Sequence, residues 1–293
     1  FHCWFLFSIM ERVLRISKHL LKQETNNEIN KNDTSNDDTM IYFWTIKNES
    51  KHLESMDACE TMLSVDDKYL TDNINSIDIT KIYTTEYIMN LFYDWIKIAG
   101  KYAPFPIRNP NKMCISTITR KKFENSTELY PNARYVLLKQ MDIKNGTFIF
   151  YTNYNSAKSM DIIENRTIHC LFYWDLLFAS VRITGKAIKM SSIESDKYWA
   201  TRNKMKKLSQ ITSNQSQPIK SKEELQSNLN ANKLKYKDVN SQDIKRPFHW
   251  GGWIINPISF EFWKGNKVRF HDRILFNKIQ SNTNKWNVVR LQP

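Results

Sequence analysis

The stretch from Ala133 to Lys158 constrains the fold more than any other. It holds two apolar-rich runs joined at Asn145-Gly146, a dipeptide that tolerates the positive φ angles of a tight hairpin turn, and it leads into a helix expected to start at Ser156. Three cations punctuate it: Arg134, Lys139 and Lys158. Side chains alternate along a regular strand, so Arg134 and Lys139, five positions apart, are expected on opposite faces, and one hairpin can serve two anions. The plain alternative is that both are solvated edge charges. Against it, they bracket Tyr135 to Leu138, a run that calls for burial, and a charge held there needs a partner because uncompensated desolvation costs several kcal/mol.

The remaining pattern is rich in short strands. Met113 to Thr119, Thr167 to Trp174, Val181 to Met190, Gly252 to Trp263, Val268 to Phe276 and Trp286 to Leu291 read as strands, with Asn125 to Asn132 as a turn-rich connection. Apolar residues at helical spacing (Ile88, Leu91, Phe92, Trp95, Ile96, Ile98) predict a packing helix over Thr84 to Ala99 that stops at Gly100. Ser191-x-x-Glu194 is a capping box for a helix through Lys207, and Ser221-x-x-Glu224 starts another. Many strands with a few interposed helices give a mainly β chain with added helices (α+β), a β-barrel and not a doubly wound sheet.

All six Gly and all eight Pro fall at or after Gly100, so the turn-rich architecture belongs to the C-terminal two thirds. The expected division is a poorly ordered N-terminal extension over 1–80, with Gln23 to Thr39 as a disordered linker, followed by one domain over 81–293. With no Met at position 1, the start of translation is expected at Met10, at Met40 or upstream. Met10 to Gln23 carries basic residues with apolar periodicity, as a mitochondrial transit peptide would, but Glu11 and the acidic stretch that follows count against one; a cytoplasmic protein is expected. The apolar first ten residues are about half the length of a membrane span, and no membrane partner is expected.

The net charge of +13 suits an anionic partner, but lysine is spread through an Asn- and Ile-rich background without an arginine tract or nucleic-acid motif, so no nucleic acid is expected. Cys3, Cys59, Cys114 and Cys170 form no C-x-x-C pair, and with six scattered histidines no metal site is expected. Two clusters carry chemistry instead. Arg269, His271 and Arg273 sit two apart, so a strand would put all three on one face, where they repel unless an anion lies between them or a carboxylate neutralises them; Asp272 alternates to the opposite face. Tyr198 and Arg202 lie four apart, hence on one face of the expected helix, a pairing that is also common on surface helices.

These residues stand in an ordered series of motifs. Arg134-x-x-Leu137-Leu138-Lys139 is followed by Phe150-Tyr151-Thr152-Asn153-Tyr154-x-Ser156-x-Lys158, Leu171-Phe172-Tyr173-Trp174 and Val181-Arg182-Ile183-x-Gly185. Then come Gln215-Ser216, His249-Trp250-Gly251-Gly252, Glu261-Phe262-Trp263-x-Gly265, Arg269-x-His271-Asp272-Arg273 and Arg290-Leu291-x-Pro293. From about Tyr83 to the last residue the chain resembles the pyridoxine (pyridoxamine) 5′-phosphate oxidase family. The resemblance implies a split β-barrel that binds FMN at a homodimer interface, and oxidation of pyridoxine 5′-phosphate or pyridoxamine 5′-phosphate by oxygen to pyridoxal 5′-phosphate and hydrogen peroxide. It implies an FMN site of Arg134, Tyr135, Val136, Leu137, Tyr151, Thr152, Lys158, Ser180, Gln215, Ser216, Trp263 and Arg273, with Arg134 and Lys158 on the flavin phosphate. Lys139, Tyr198 and Arg202 would hold the substrate phosphate, and Arg269, Phe270 and His271 would lie at the substrate ring, with Arg269 and His271 as the catalytic pair. The family's mobile N-terminal arm has one candidate here, Tyr69.

Three positions depart from the family pattern. Ala157 stands where the family has Arg before the helix lysine, which removes one phosphate contact. Ser180 stands for a glutamine at the flavin ring and needs a bridging water to span the gap. The loop after Arg202 reads Arg202-Asn203-Lys204-Met205-Lys206-Lys207-Leu208-Ser209-Gln210, so the serine expected at the substrate phosphate is Lys206. If the helix from Ser191 continues, Lys206 falls eight positions after Tyr198 on the same face and its ammonium replaces the hydroxyl. A degenerate homologue that holds FMN or pyridoxal phosphate without turnover is the rival reading, favoured by Ala157 and Ser180.

Overall fold

The computed structural model describes residues 40–42, 56–102, 109–280 and 283–293. The readings made for Met10 to Thr39 lie outside the described residues. Among the described residues one eleven-stranded sheet dominates, and every pairing in it is antiparallel. In chain order the strands are β1 (Met40–Tyr42), β2 (Tyr83–Thr84), β3 (Lys112–Lys122), β4 (Thr127–Leu137), β5 (Gln140–Asp142) and β6 (Thr147–Asn153), then β7 (Thr167–Trp174), β8 (Ala179–Lys189), β9 (Trp250–Lys264), β10 (Asp272–Lys278) and β11 (Lys285–Arg290). The main path runs β1-β5-β6-β9-β8-β7-β3-β4 with β10, β11 and β2 branching from β9, and its two ends do not meet. The sheet is thus a split, unclosed barrel and not a closed one.

The split lies in β9. Along one edge β9 pairs continuously with β8; along the other its first half pairs with β6, up to Ile255, and its second half with β10, from Ser259. Pro257, which has no N–H for a ladder, falls between the two partners, and the β8–β9 register shifts there, with Ile258 of β9 left unpaired between the partners of Thr184 and Gly185. Among the described residues six α-helices accompany the sheet: α1 (Met56–Asn75), α2 (Thr85–Tyr102), α3 (Ala157–Glu164), α4 (Ser192–Ala200), α5 (Lys204–Thr212) and α6 (Lys222–Lys235). The apolar stripe read from the sequence buries α2 in the barrel, where Phe92 packs edge-on against Phe148 and Phe172 at 5.1 and 5.0 Å and Trp95 against Phe262 at 5.2 Å. A second apolar cluster, Tyr198, Trp199, Leu208, Ile244 and Trp250, builds α4 and α5 onto the start of β9.

Local signals held where local chemistry decides. Gly146 takes φ 67 in the β5–β6 hairpin, and Ser191 and Ser221 accept the backbone N–H of Glu194 and Glu224. Long-range packing changed five readings. Asn125 to Asn132 is mostly strand, since β4 begins at Thr127; among the described residues β4 pairs only with β3, so an edge strand made polar and carrying Pro131 is tolerated. The first strand of the expected hairpin is broken at Leu138-Lys139, where the chain leaves β3 and crosses to β6. Helix α2 runs through Gly100 to Tyr102. The helix from Ser191 ends at Ala200, and Asn203 caps a new one by accepting the Lys206 N–H at 2.9 Å. Strand β10 starts only at Asp272. In the segment assigned to the extension, α1 places Leu70 and Ile74 in the main core with Ile77 just beyond it, and Asp67 pairs with the buried Lys264 at 2.7 Å. Tyr69 is half-exposed on α1.

Candidate active site

Two faces of the sheet carry the predicted residues. Pairing aligns Arg134, Ile115, Cys170, Ile183 and Phe260 on the face that covers the core, where all but Arg134 are at most 2% exposed. The adjacent row, Tyr135, Cys114, Leu171, Arg182 and Glu261, points the other way.

On the inner side, at the edge of the core, lies a cationic pocket. Lys158, the second residue of α3, is 8% exposed, and its Nζ donates to Thr152 Oγ1 at 3.2 Å, Ser156 Oγ at 3.1 Å and Gln215 Oε1 at 3.2 Å. Every one of these partners is neutral. Burial, and then the charge of Arg134, pull the Lys158 pKa from 10.5 to about 8. Arg134 reaches the same place from β4, donating to Thr117 Oγ1 at 2.5 Å and lying 3.7 Å from Asp161. Burial lowers its pKa while Asp161 opposes the shift. The buried Asp161 is already engaged, accepting from Thr117 at 2.5 Å and Thr119 at 2.6 Å. Lys158 thus has only neutral hydrogen-bond partners, and Arg134 pairs with a carboxylate that two threonines already occupy, an imbalance that a bound dianion would correct. Ser216, next to Gln215, takes φ 70, a conformation rare for a residue with a Cβ. Ala157 is exposed at the first turn of α3 and adds no charge.

Beside this pocket is an aromatic stack. Tyr151 lies flat on Tyr198 with centroids 3.8 Å apart and is stacked at 5.4 Å on Trp250, and its hydroxyl donates to Gln140 Oε1 at 3.0 Å. The Arg202 guanidinium sits 4.7 Å over Trp250, and its buried Nε has no hydrogen-bond partner. Burial raises the Tyr198 pKa and lowers that of Arg202, each offset in part by the other. Tyr198 and Arg202 therefore do meet, although Arg202 lies beyond the end of α4. Lys139 is half-buried at the crossover between β4 and β5. Lys206 is exposed at the start of α5, because the continuous helix that would have aligned it with Tyr198 is interrupted. The buried lysine of this loop is Lys207, whose Nζ donates to Ser241 O at 2.6 Å.

The outer face holds the rest. Ser180, Trp263 and Arg273 line a cleft of about 380 Å³ together with Leu171, Tyr173, Arg182, Glu261 and Pro293. Arg273 is neutralised by Glu261, its Nε donating to Oε1 at 2.9 Å, and Glu261 also pairs with Arg182 through Oε2. The three-residue alternation of Arg269, His271 and Arg273 fails, since Arg269 precedes β10 with φ 65 and is exposed beside Phe270, 75% exposed. His271 packs 4.9 Å from the Trp263 ring. Tyr135, 71% exposed, shares this outer face, whereas Val136 packs on the core and Leu137 is half-buried.

The structure thus groups Arg134, Thr152, Lys158 and Gln215; Tyr151, Tyr198 and Arg202; and Ser180, Trp263, Arg273 and His271. It puts the first and third groups on opposite sides of one sheet. Sequence reasoning gave no site role to Ser156, Trp250 and Glu261, although they stand in its motifs, and missed Asp161 altogether. Glu261 also carried a signal of its own, as a lone carboxylate within the aromatic run Phe260 to Trp263.

A forked antiparallel sheet around one apolar helix, with a cationic cluster at the edge of its core, defines a protein of the split-barrel class. Among solved structures, PhzG from Burkholderia lata 383 in complex with tetrahydrophenazine-1-carboxylic acid shares this fold with a TM-score of 0.58, over 70% of this chain and 92% of its own, at 22% identity. The sequence profile described as "Pyridoxamine 5'-phosphate oxidase" matches residues 98–235, and "Pyridoxine 5'-phosphate oxidase C-terminal dimerisation region" matches residues 250–293. The pyridoxine/pyridoxamine 5'-phosphate oxidase of Nostoc punctiforme is 36% identical over 222 residues, 74% of this chain and 97% of the relative. That of Gloeothece citriformis is 41% identical over 184 residues, 63% of this chain and 79% of the relative. The chain belongs to the pyridoxine/pyridoxamine 5′-phosphate oxidase family of oxidoreductases. Among the described residues, no helix is long and apolar enough to cross a membrane.

Proposed function

We propose that this protein is an FMN-dependent oxidase of phosphorylated B6 vitamers. Pyridoxine 5′-phosphate plus oxygen would give pyridoxal 5′-phosphate and hydrogen peroxide; pyridoxamine 5′-phosphate would consume a water as well and release ammonia. The observation that carries the reading is Lys158, a buried ammonium surrounded by neutral oxygens with Arg134 as its charged neighbour. That arrangement fits the terminal phosphate of FMN, for which Thr152, Gln215 and Ser216 would supply further polar contacts. Bound FMN would supply the two-electron acceptor and return those electrons to oxygen.

The residues of the chain do the rest. Tyr198 and Arg202, with Lys139 from the crossover, would bind the substrate phosphate; charge-assisted hydrogen bonds of this kind contribute about 1.5–3 kcal/mol each. Arg269, Phe270 and His271 would close over the substrate ring and orient its reacting carbon. Lys206 is left out of this set. Ser180, Trp263 and Arg273 belong to the flavin site of the reading, yet they face away from Arg134 across the sheet. A homodimer in which each copy offers one face accounts for both groups touching one flavin.

The test is spectroscopic. Purified protein supplied with FMN should acquire flavin absorbance and, on addition of either phosphorylated vitamer in air, form pyridoxal 5′-phosphate and peroxide in equal amounts. Bound flavin without turnover would establish the non-catalytic reading instead.

A further inference from the structure

The two ring nitrogens of His271 are not equivalent. The backbone N–H of Asn266 donates to Nδ1 at 3.0 Å. Only a ring nitrogen with a free lone pair accepts such a bond, so Nδ1 carries no proton and the neutral ring holds its proton on Nε2.

The surrounding loop enforces this arrangement. Asn266 Oδ1 accepts the Val268 N–H at 3.0 Å and Asn266 O accepts the Arg269 N–H at 3.0 Å, which turns the chain tightly enough to put Arg269 at φ 65. The preceding residue ties the loop to the sheet: Gly265 N–H donates to Phe178 O at 2.7 Å, and a Cβ at Gly265 would lie 2.0 Å from the Phe178 ring. Phe178 and Trp263 then contain the imidazole, at 6.0 and 4.9 Å between ring centres.

We infer that Asn266 and the turn it closes are a tautomer lock, which makes His271 a hydrogen-bond donor through Nε2 to an oxygen acceptor on a bound pyridine substrate. A nitrogen that already carries its proton cannot take one from the substrate, so His271 orients and stabilises the substrate and is not the base of the reaction. Asn266 is a positioning residue that acts through His271. The inference rests on the proposed function for the identity of the ligand, but the lock itself does not.

Two measurements test it separately. Nitrogen-15 NMR of the histidine rings in FMN-free protein, at a pH where His271 is neutral, should show an unprotonated Nδ1 and a protonated Nε2, and Asn266→Ala should shift that pattern toward a mixture. The reverse tautomer in the parent protein would overturn the lock whether or not the protein is an oxidase. In FMN-loaded protein, binding of pyridoxal 5′-phosphate should distinguish His271→Gln, whose amide reaches the place of Nε2, from His271→Asn, whose amide reaches only that of Nδ1. The asparagine variant should bind roughly tenfold or more weakly than the glutamine variant. Equal affinities, or tighter binding by the asparagine variant, would overturn the donor role.

Discussion

Replacing Lys158 with methionine removes the ammonium while keeping an unbranched side chain of similar length. In the FMN-free protein that ammonium is held at a cost. The fall in pKa from 10.5 to about 8 corresponds, at 1.36 kcal/mol per pH unit, to about 3 kcal/mol against the charged form. Because the folded pKa lies below the unfolded one, the unfolded chain binds more protons between about pH 8 and 10.5. Stability of the parent protein should therefore rise with pH across that window, and the penalty is fully present below it. Lys158→Met should show a smaller rise, Lys207 and Lys278 being shifted the same way, and should be more stable at neutral pH, by at most about 3 kcal/mol, since Thr152, Ser156 and Gln215 each lose a donor. Anion binding should move the other way. Loss of one charge-assisted contact of about 1.5–3 kcal/mol weakens FMN by roughly tenfold to 150-fold. Urea denaturation of the FMN-free proteins from pH 7 to 10.5, with flavin fluorescence titration at neutral pH, reads both effects. A variant with unchanged FMN affinity and an unchanged pH slope would refute the assignment of Lys158 to an anion.

Three further outcomes test other parts of the molecule. Glu261→Gln leaves Arg182 and Arg273 facing one another without their carboxylate; with Arg182 half-exposed, the loss should be no more than about 3 kcal/mol in urea denaturation, and a neutral result would show that the two arginines are solvated. Phe92→Ala empties the space between Phe148 and Phe172 in the core and should cost about 3–5 kcal/mol, with a matching fall in the midpoint of thermal unfolding. Co-expressed Arg134→Ala and Arg273→Ala chains, each inactive alone, should recover about a quarter of the parental activity, because half of randomly paired dimers contain one site with both residues intact. Absence of any recovery would place both residues in the same chain's site.

The parts of the fold legible beforehand are those settled by neighbours in sequence. Thr167–Trp174 alternates as its two differently solvated faces require, and Ser191 and Ser221 cap helices with a hydroxyl three residues from the N–H it accepts. The stripe of α2 follows from one face meeting the core. The misreadings arise where a distant element intervenes. Thr127 to Asn132 looks like a loop because an edge strand has no need of apolar side chains on both faces, and only pairing with β3 makes it a strand. Arg269-x-His271-x-Arg273 looks like a strand until Phe178, far earlier in the chain, anchors the loop before it.

For the site, the sequence by itself determined which chemical groups are available: an arginine and a lysine around a strand–turn–strand unit, a tyrosine and an arginine one turn apart, and a histidine between two arginines. Charge, hydrogen-bonding capacity and local periodicity are properties of residues and their near neighbours, so they can be read along the chain. Tertiary structure alone decided which of these groups share a pocket. It buried Lys158 among neutral oxygens, gave the carboxylate of Glu261 to Arg273, and set Arg134 and Trp263 on opposite faces of one sheet. The register of strands far apart in the chain fixes the direction of each side chain, and desolvation by the assembled core fixes how strongly each charge calls for a partner.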